Sequence, residues 1–183
     1  MTEVKKYFIA IIPPEPFYSY CNELKNYFAQ NYNSKGALNS PPHCTLYMPF
    51  EWREDREELL FDSLNKITLN QTEFILPING FGFFEPRVVF INPHATNEIL
   101  NLQKEVALSL KKILNADTST YKQHGYHPHF TIAFRDLKKL LFPKAMEEFK
   151  EKKYETSLEI SSISLLKHNQ KNWEEYKRFT FFR

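Results

Sequence analysis

The hydrophobic and polar positions of this chain follow two periods, one typical of strands and the other of helices. Aromatic, β-branched and other apolar residues fill the stretch from Lys6 to Ile12, which ends at two prolines and predicts a buried strand. From Pro16 to Asn31 the apolar residues recur every three or four positions, which predicts an amphipathic helix. In the rest of the chain, stretches with the strand period and stretches with the helix period follow one another.

The same patterns predict further elements along the whole chain. We expect helices at 53–67, 96–114 and 137–152, and strands at 43–50, 72–84, 87–91, 129–135, 158–167 and 173–182. Pro143 is awkward inside a helix, so we expect a kink or a later start there. Gly80 and Gly82 indicate a bulge or a close approach of two backbones within their strand.

The predicted order strand–helix–strand–helix–strand occurs twice, and one further strand closes the chain. This order indicates a long internal duplication. Short hairpin links between strands favour an α+β protein with mainly antiparallel sheets. We therefore expect one domain over residues 1–183, made of two pseudo-symmetric lobes. Each lobe would be a small sheet flanked by helices, with a central cleft between the lobes.

A short motif repeats in two of the predicted strands. The first copy is Pro42-His43-Cys44-Thr45-Leu46, and the second is Pro128-His129-Phe130-Thr131-Ile132. Successive side chains of a strand point to opposite faces, so in each copy the imidazole and the hydroxyl share one face. The apolar residues lie on the other face, which suits a core. If the two strands meet, the cleft receives two histidines and two threonines.

These residue types suit acid–base chemistry at a phosphodiester. Histidine has an ordinary pKa of about 6.5, so one imidazole can accept a proton while the other donates one. A hydroxyl on the same face can donate a hydrogen bond to a phosphate oxygen. We expect no metal and no cofactor at such a site. Tyr47 and Arg135 lie on the same predicted faces, and we expect them to contact the substrate through stacking and phosphate binding.

Composition and charge restrict the classes of ligand and the cellular compartment that we expect for this chain. A formal net charge of +2 over 183 residues does not suit a protein that grips duplex DNA, but it allows a small phosphate ligand or an RNA end. Two cysteines do not build a disulfide framework, so a reducing cytoplasm is expected. The apolar run Tyr7–Ile12 is too short for a signal peptide, and no stretch is long enough to span a membrane. We expect a cytoplasmic monomer.

The two motifs resemble those of the 2H phosphoesterase superfamily, which includes 2′-5′ RNA ligase and cyclic phosphodiesterase-like enzymes. That family carries two His-x-Thr/Ser-aliphatic motifs in a duplicated bilobal α+β fold. The resemblance implies metal-free chemistry on RNA-type phosphodiesters with a nucleotide or an RNA end as substrate. It does not fix which substrate is used, whether bonds are cleaved or joined, or which histidine is the acid. Many relatives carry an arginine five residues past the second histidine, whereas Arg135 is six past.

Two other interpretations remain open from the sequence. His124, His127 and His129 lie close together and could hold zinc, with Asp117 or Asp136 as a further ligand or acid. This interpretation leaves the first motif unexplained. Alternatively, the cleft could bind a nucleotide or an RNA end without catalysis, although binding alone does not require two titratable side chains.

Overall fold

The computed structural model describes residues 3–114 and 125–182, within which the chain forms eight strands and four α-helices. The strands are β1 (Val4–Ile11), β2 (Cys44–Arg53), β3 (Phe74–Phe84), β4 (Val88–Pro93), β5 (Phe130–Ala133), β6 (Glu155–Ile160), β7 (Ser162–His168) and β8 (Trp173–Thr180). The helices are α1 (Phe17–Asn31), α2 (Glu57–Thr68), α3 (Asn97–Leu114) and α4 (Phe142–Lys150). Two short 3-10 helices, Gly36–Asn39 and Glu54–Arg56, precede β2 and α2.

All eight strands belong to one sheet in the order β6-β3-β4-β5-β2-β1-β7-β8, and every neighbouring pair is antiparallel. The expectation of an α+β fold with antiparallel strands is confirmed, but the expectation of two small sheets is wrong. The two halves are joined where β2 and β5 pair through Cys44 and Phe130. A pairing between strands this far apart in sequence leaves no trace in a local pattern.

The two halves of the sheet exchange strands. β3 is the last strand of the first duplicated half of the sequence, but it pairs with β4 and β6 of the second half. β7 follows the second repeat but pairs with β1 of the first, and β8 extends that edge. The helices cross in the same way, because α1 packs against β5 and α3 packs against β2. Each half of the sheet is therefore built from both parts of the sequence.

One face of the sheet is buried beneath the four helices. Along β1, Tyr7, Ile9 and Ile11 belong to this core, whereas Phe8 and Ala10 lie in a small separate cluster on the other face. The alternation follows from the pleat of a strand. The helices thus leave the second face of the sheet available for a ligand. Within the described residues, no helix is long and apolar enough to cross a membrane.

Most predicted elements lie within a few residues of the observed ones. α4 begins at Phe142 with Pro143 in its first turn, so the later start is confirmed; a first-turn proline loses no helical hydrogen bond. The strand predicted at 158–167 is in fact two strands, β6 and β7, separated at Ser161. Gly80 has a φ of +63° at a register shift of β3, which confirms the expected bulge.

We predict that Phe130→Ala strongly destabilises the protein. The Phe130 side chain is 1% exposed and packs edge-on against Phe17 of α1 at 5.0 Å between ring centroids. Truncation leaves a cavity at the junction of the two half-sheets and should lower the free energy of unfolding by about 3–5 kcal/mol. Urea unfolding followed by circular dichroism measures this change. Phe182→Ala is the control, because Phe182 is 65% exposed and its truncation should cost less than about 0.5 kcal/mol.

Candidate active site

The two motif strands meet at their first residues. Cys44 and Phe130 are direct partners across β2 and β5, and both side chains are buried in the core. Continuing this antiparallel register by one residue in each direction sets His43 opposite Thr131 and Thr45 opposite His129. Side chains directly opposite each other lie about 4.5–5.5 Å apart at Cβ. The four predicted residues therefore form a compact square on the face that the helices do not cover.

Burial follows the same alternation in both motifs. His43, Thr45, His129 and Thr131 are each partly accessible, whereas the residues between and after them are buried. The period of two, read from the sequence, thus separates a core face from a ligand face as expected. By this alternation both imidazoles lie on the same face of the sheet.

Each imidazole is held by the backbone carbonyl two residues before it. Nδ1 of His43 donates to the Pro41 carbonyl at 2.8 Å, and Nδ1 of His129 donates to the His127 carbonyl at 2.7 Å. Since a carbonyl oxygen only accepts, both rings carry a proton on Nδ1. In the neutral ring, Nε2 is then an acceptor that can take a proton from a substrate or a water.

Aromatic rings of β1, β3 and β4 pack against the two imidazoles. Phe8 of β1 lies 4.9 Å from His43 between ring centroids. Phe84 and Phe90 lie 5.0 Å and 5.4 Å from His129. Gly82 makes room for this packing, since a Cβ there would be 2.3 Å from the Phe90 ring. The close contact at this glycine is therefore with a side chain and not with another backbone.

Burial gives the two histidines different acidities. It lowers the pKa of His43 to about 4, and the positive charges of Lys25 and His129 push in the same direction. Burial also lowers the pKa of His129, with the neighbouring His127 as a further cause. The electrostatic coupling of His43 to His129 is consistent with the short separation that the register implies. Both shifts favour the neutral form of the imidazole.

Tyr47 does not lie on the ligand face, so its predicted place is wrong. β2 has a bulge at this point: Thr45 pairs with Ala10, but Tyr47 pairs with Ile9. The extra residue turns the Tyr47 side chain into the core, where it is 7% exposed and contacts Phe50. We leave Tyr47 out of the substrate-binding set.

Arg135 lies two residues past the end of β5, where the strand alternation no longer applies. Its side chain is exposed, and its guanidinium lies 5.1 Å from the centre of the Phe134 ring. Nη1 of Arg87 donates to the Arg135 carbonyl at 3.0 Å, so this rim of the sheet carries two arginines. A role for Arg135 in phosphate binding stays a prediction.

The zinc interpretation depends in part on His124 and Asp117, which lie outside the described residues. Within residues 3–114 and 125–182, no three His, Cys, Asp or Glu side chains are close enough together to hold a metal ion. The Asp136 carboxylate already has other partners, because it accepts hydrogen bonds from the Ser34 hydroxyl and from the backbone N–H groups of Lys35 and Gly36. The described residues therefore supply no such metal cluster.

Three residues that support the site carry no signal in the sequence. Phe8 and Phe90 belong to strands that are apolar on both faces, so their contact with an imidazole could not be distinguished from core packing. Lys25 occupies a buried position of α1 together with Phe17, Cys21 and Phe28. From the sequence alone, a lysine in such a stripe cannot be distinguished from an exposed lysine, because its burial depends on how the helix packs.

Comparison with known proteins finds curated relatives of this chain. Two curated relatives, from Bacillus cereus and Bacillus cytotoxicus, both carry the name "Putative phosphoesterase". The first is 27% identical over 126 residues, which span 68% of this chain and 66% of the relative. The second is 29% identical over 127 residues, which span 68% of this chain and 67% of the relative. The chain thus matches about two thirds of the length of these proteins.

Solved structures share the fold over nearly the whole chain. The crystal structure of TT0787 from Thermus thermophilus has a TM-score of 0.71 at 15% identity, covering 96% of this chain and 97% of that one. E. coli LigT complexed with 3′-AMP has a TM-score of 0.65 at 16% identity, covering 98% of this chain and 99% of that one. At these identities the likeness establishes the fold alone.

The family comparison covers most of the sequence. The model of the 2′-5′ RNA ligase superfamily matches residues 13–172, a range that contains both His-x-Thr motifs. With this match, the shared fold and the paired motifs, the chain belongs to the 2′-5′ RNA ligase superfamily of 2H phosphoesterases.

Proposed function

We propose that this protein is a phosphoesterase that acts on 2′,3′-cyclic phosphates or 2′-5′ phosphodiesters of RNA-derived substrates, with His43 and His129 as the acid–base pair. One observation carries the proposal. Both imidazoles have Nδ1 bound to a backbone carbonyl, which leaves Nε2 for a substrate, and the β2–β5 register supports their placement beside two hydroxyls on one face of the sheet. This is the set of groups that an in-line displacement at phosphorus requires.

In the proposed hydrolysis, His43 is the base and His129 the acid. Nε2 of His43 takes a proton from the attacking water as the water oxygen bonds to phosphorus. The bond from phosphorus to the 2′ or 3′ oxygen breaks, and Nε2–H of His129 gives its proton to that oxygen. The product is a phosphomonoester, and the two imidazoles have exchanged protonation states. In the joining direction, a ribose hydroxyl replaces water and the same transfers apply.

The assignment of the base rests on burial. His43 is the more acidic of the two imidazolium groups, because burial lowers its pKa to about 4. His129 is closer to solvent and holds a proton to a higher pH, although its pKa is also below the ordinary value. A bound phosphodiester anion raises both values and favours the protonated acid.

Thr45 and Thr131 are proposed to hold the phosphate. Each hydroxyl lies on the ligand face, across from the histidine of the other motif. A hydrogen bond from each hydroxyl to a non-bridging oxygen would stabilise the charge that grows on that oxygen in the transition state. The two threonine hydroxyls, at diagonally opposite corners of the square, would therefore hold the phosphate between them.

The substrate class is supported by the comparisons and by the rings around the site. E. coli LigT has been crystallised with 3′-AMP and with phosphate, ligands that match the expected product and its charged group. Phe84 is 38% exposed beside His129 and offers a surface on which a base can stack. Arg135 at the rim is proposed to bind a phosphate of the substrate through charge-assisted hydrogen bonds.

We predict that His43→Ala and His129→Ala each lower kcat on a 2′,3′-cyclic nucleotide by about 10²–10⁴-fold, since each removes one proton-transfer group. Steady-state assays on folded variants, checked by circular dichroism, measure the change. His94→Ala is the control, because His94 is an exposed loop residue and its loss should leave kcat unchanged.

Near wild-type turnover in either folded variant would show that the pairing is wrong. The same assays run after dialysis against a chelator test the zinc interpretation, since a zinc hydrolase loses activity and the proposed enzyme keeps it. Tight nucleotide binding without turnover on cyclic or 2′-5′ substrates would identify a binding module instead.

We also predict that Thr45→Val and Thr131→Val each lower kcat by about 10–10³-fold with a smaller change in KM. Valine keeps the shape of the side chain but removes the donor to the transition-state oxygen. Thr72→Val, at an exposed loop position, is the matched control. Equal kcat values for all three variants would contradict a phosphate-binding role for the two motif threonines.

The two lowered pKa values predict an acidic optimum for kcat/KM, which reports the groups of the free enzyme. The neutral fraction of the base His43 rises as the pH passes its pKa of about 4. The protonated fraction of the acid His129 falls as the pH passes its own lowered pKa. The product of the two is largest between these values, on the acidic side of about pH 6.5. An optimum of kcat/KM above about pH 7.5 would contradict this assignment.

A further inference from the structure

Lys25 is a lysine buried in the core, and it takes no part in the proposed proton transfers. Its residue is 2% exposed, on the face of α1 that also buries Phe17, Cys21 and Phe28. Lysine is almost never this buried without a partner for its charge. Among the described residues, no carboxylate forms an ion pair with it. A position that a leucine would fill at no electrostatic cost therefore holds a cation.

The amine of Lys25 is bound to the segment that carries the first motif. Nζ donates to the Ser40 carbonyl at 2.9 Å. The next carbonyl along the chain, that of Pro41, accepts the Nδ1 proton of His43 at 2.8 Å. Two consecutive carbonyls thus connect the buried amine to the imidazole. The second motif shows the same carbonyl hydrogen bond from His129, but no lysine is among the causes that shift the pKa of His129.

We propose that Lys25 is a positioning residue for His43: it fixes the Ser40–Pro41 segment that orients the imidazole, and its charge favours the neutral, proton-accepting form of that ring. The proposal rests on the proposed acid–base role of His43. Lys25 does not touch the reacting atoms and acts only through the segment and through its field.

The electrostatics agree with the geometry. Burial lowers the pKa of Lys25 to about 8, so the amine is mainly protonated at neutral pH. Its positive charge is one of the causes that lower the pKa of His43, after burial. The charge therefore disfavours a second proton on the imidazole and keeps Nε2 available as an acceptor.

Few other titratable groups act on this pair. Cys21, one turn earlier on α1, is kept neutral because burial raises the pKa of its thiol to about 12. His129 is the other group that faces His43. Among the described residues, other such groups near α1 have their own partners: Tyr154 packs against Tyr20, Glu148 accepts hydrogen bonds from Tyr27 and Tyr32, and Asp136 accepts one from Ser34.

The test compares Lys25→Met, Lys25→Arg and the control Lys104→Met, which removes an exposed lysine of α3. Lys25→Met should fold with unchanged or higher thermal stability, because an apolar side chain of similar length replaces a buried charge. Its kcat/KM should fall by about 10–100-fold, the effect of a misplaced catalytic group. Lys25→Arg keeps the charge and a donor and should recover part of this loss. Lys104→Met should match the wild type.

A readout independent of turnover is the titration of His43 followed by NMR of its imidazole. In Lys25→Met the midpoint should move to higher pH, because the neighbouring charge is gone. In the wild type, the His43 signals should show a second inflection near pH 8, where Lys25 loses its proton. The NMR titration can be carried out even if no phosphodiester is cleaved. Failure of the proposed function can therefore be distinguished from failure of this inference.

A folded Lys25→Met variant with wild-type kcat/KM and an unchanged His43 midpoint would overturn the proposal. If that variant does not fold, the wild-type titration decides. Absence of an inflection in the His43 signals between pH 7 and 9, about one unit on either side of the Lys25 pKa, would then overturn it.

Discussion

The pairing of Cys44 with Phe130 is the contact on which the rest of the site depends. It is the register pair between β2 and β5, and both side chains are buried in the helix-covered core. Because their neighbours must point the other way, this one pair sends two imidazoles and two hydroxyls to the open face. A shift of either strand by one residue would bury the polar groups and expose the apolar ones. The hydrophobic core thus fixes the register, and the register fixes the chemistry.

The exchange of strands and helices between the two halves reinforces this junction. β3 and β7 each pair with strands of the other repeat, and α1 and α3 each pack on the motif strand of the other repeat. Each motif strand is therefore packed by a helix from the other part of the chain. One hydrophobic cluster contains residues of both halves, so the short β2–β5 pairing does not hold them together alone.

Local patterns predicted much of this arrangement and failed where distant contacts decide. The strand period placed His43 and His129 on one face with their threonines, because that alternation is a property of the backbone. The same period failed for Tyr47, where a bulge against β1 inserts an extra residue. It does not apply to Arg135, which lies past the end of β5. The joining of two expected sheets into one depends on a pairing between segments far apart in sequence. The buried place of Lys25 likewise depends on how α1 docks.

Duplication raises a chemical problem that the surroundings solve. Two copies of one motif give two imidazoles with the same carbonyl hydrogen bond, yet an acid–base pair needs one ring that accepts a proton and one that donates it. Deeper burial and the cation of Lys25 lower the pKa of His43. The pKa of His129 is lowered by burial and by His127, and no lysine is among these causes. The symmetric motifs therefore supply the geometry, and the asymmetric residues behind them assign the two roles.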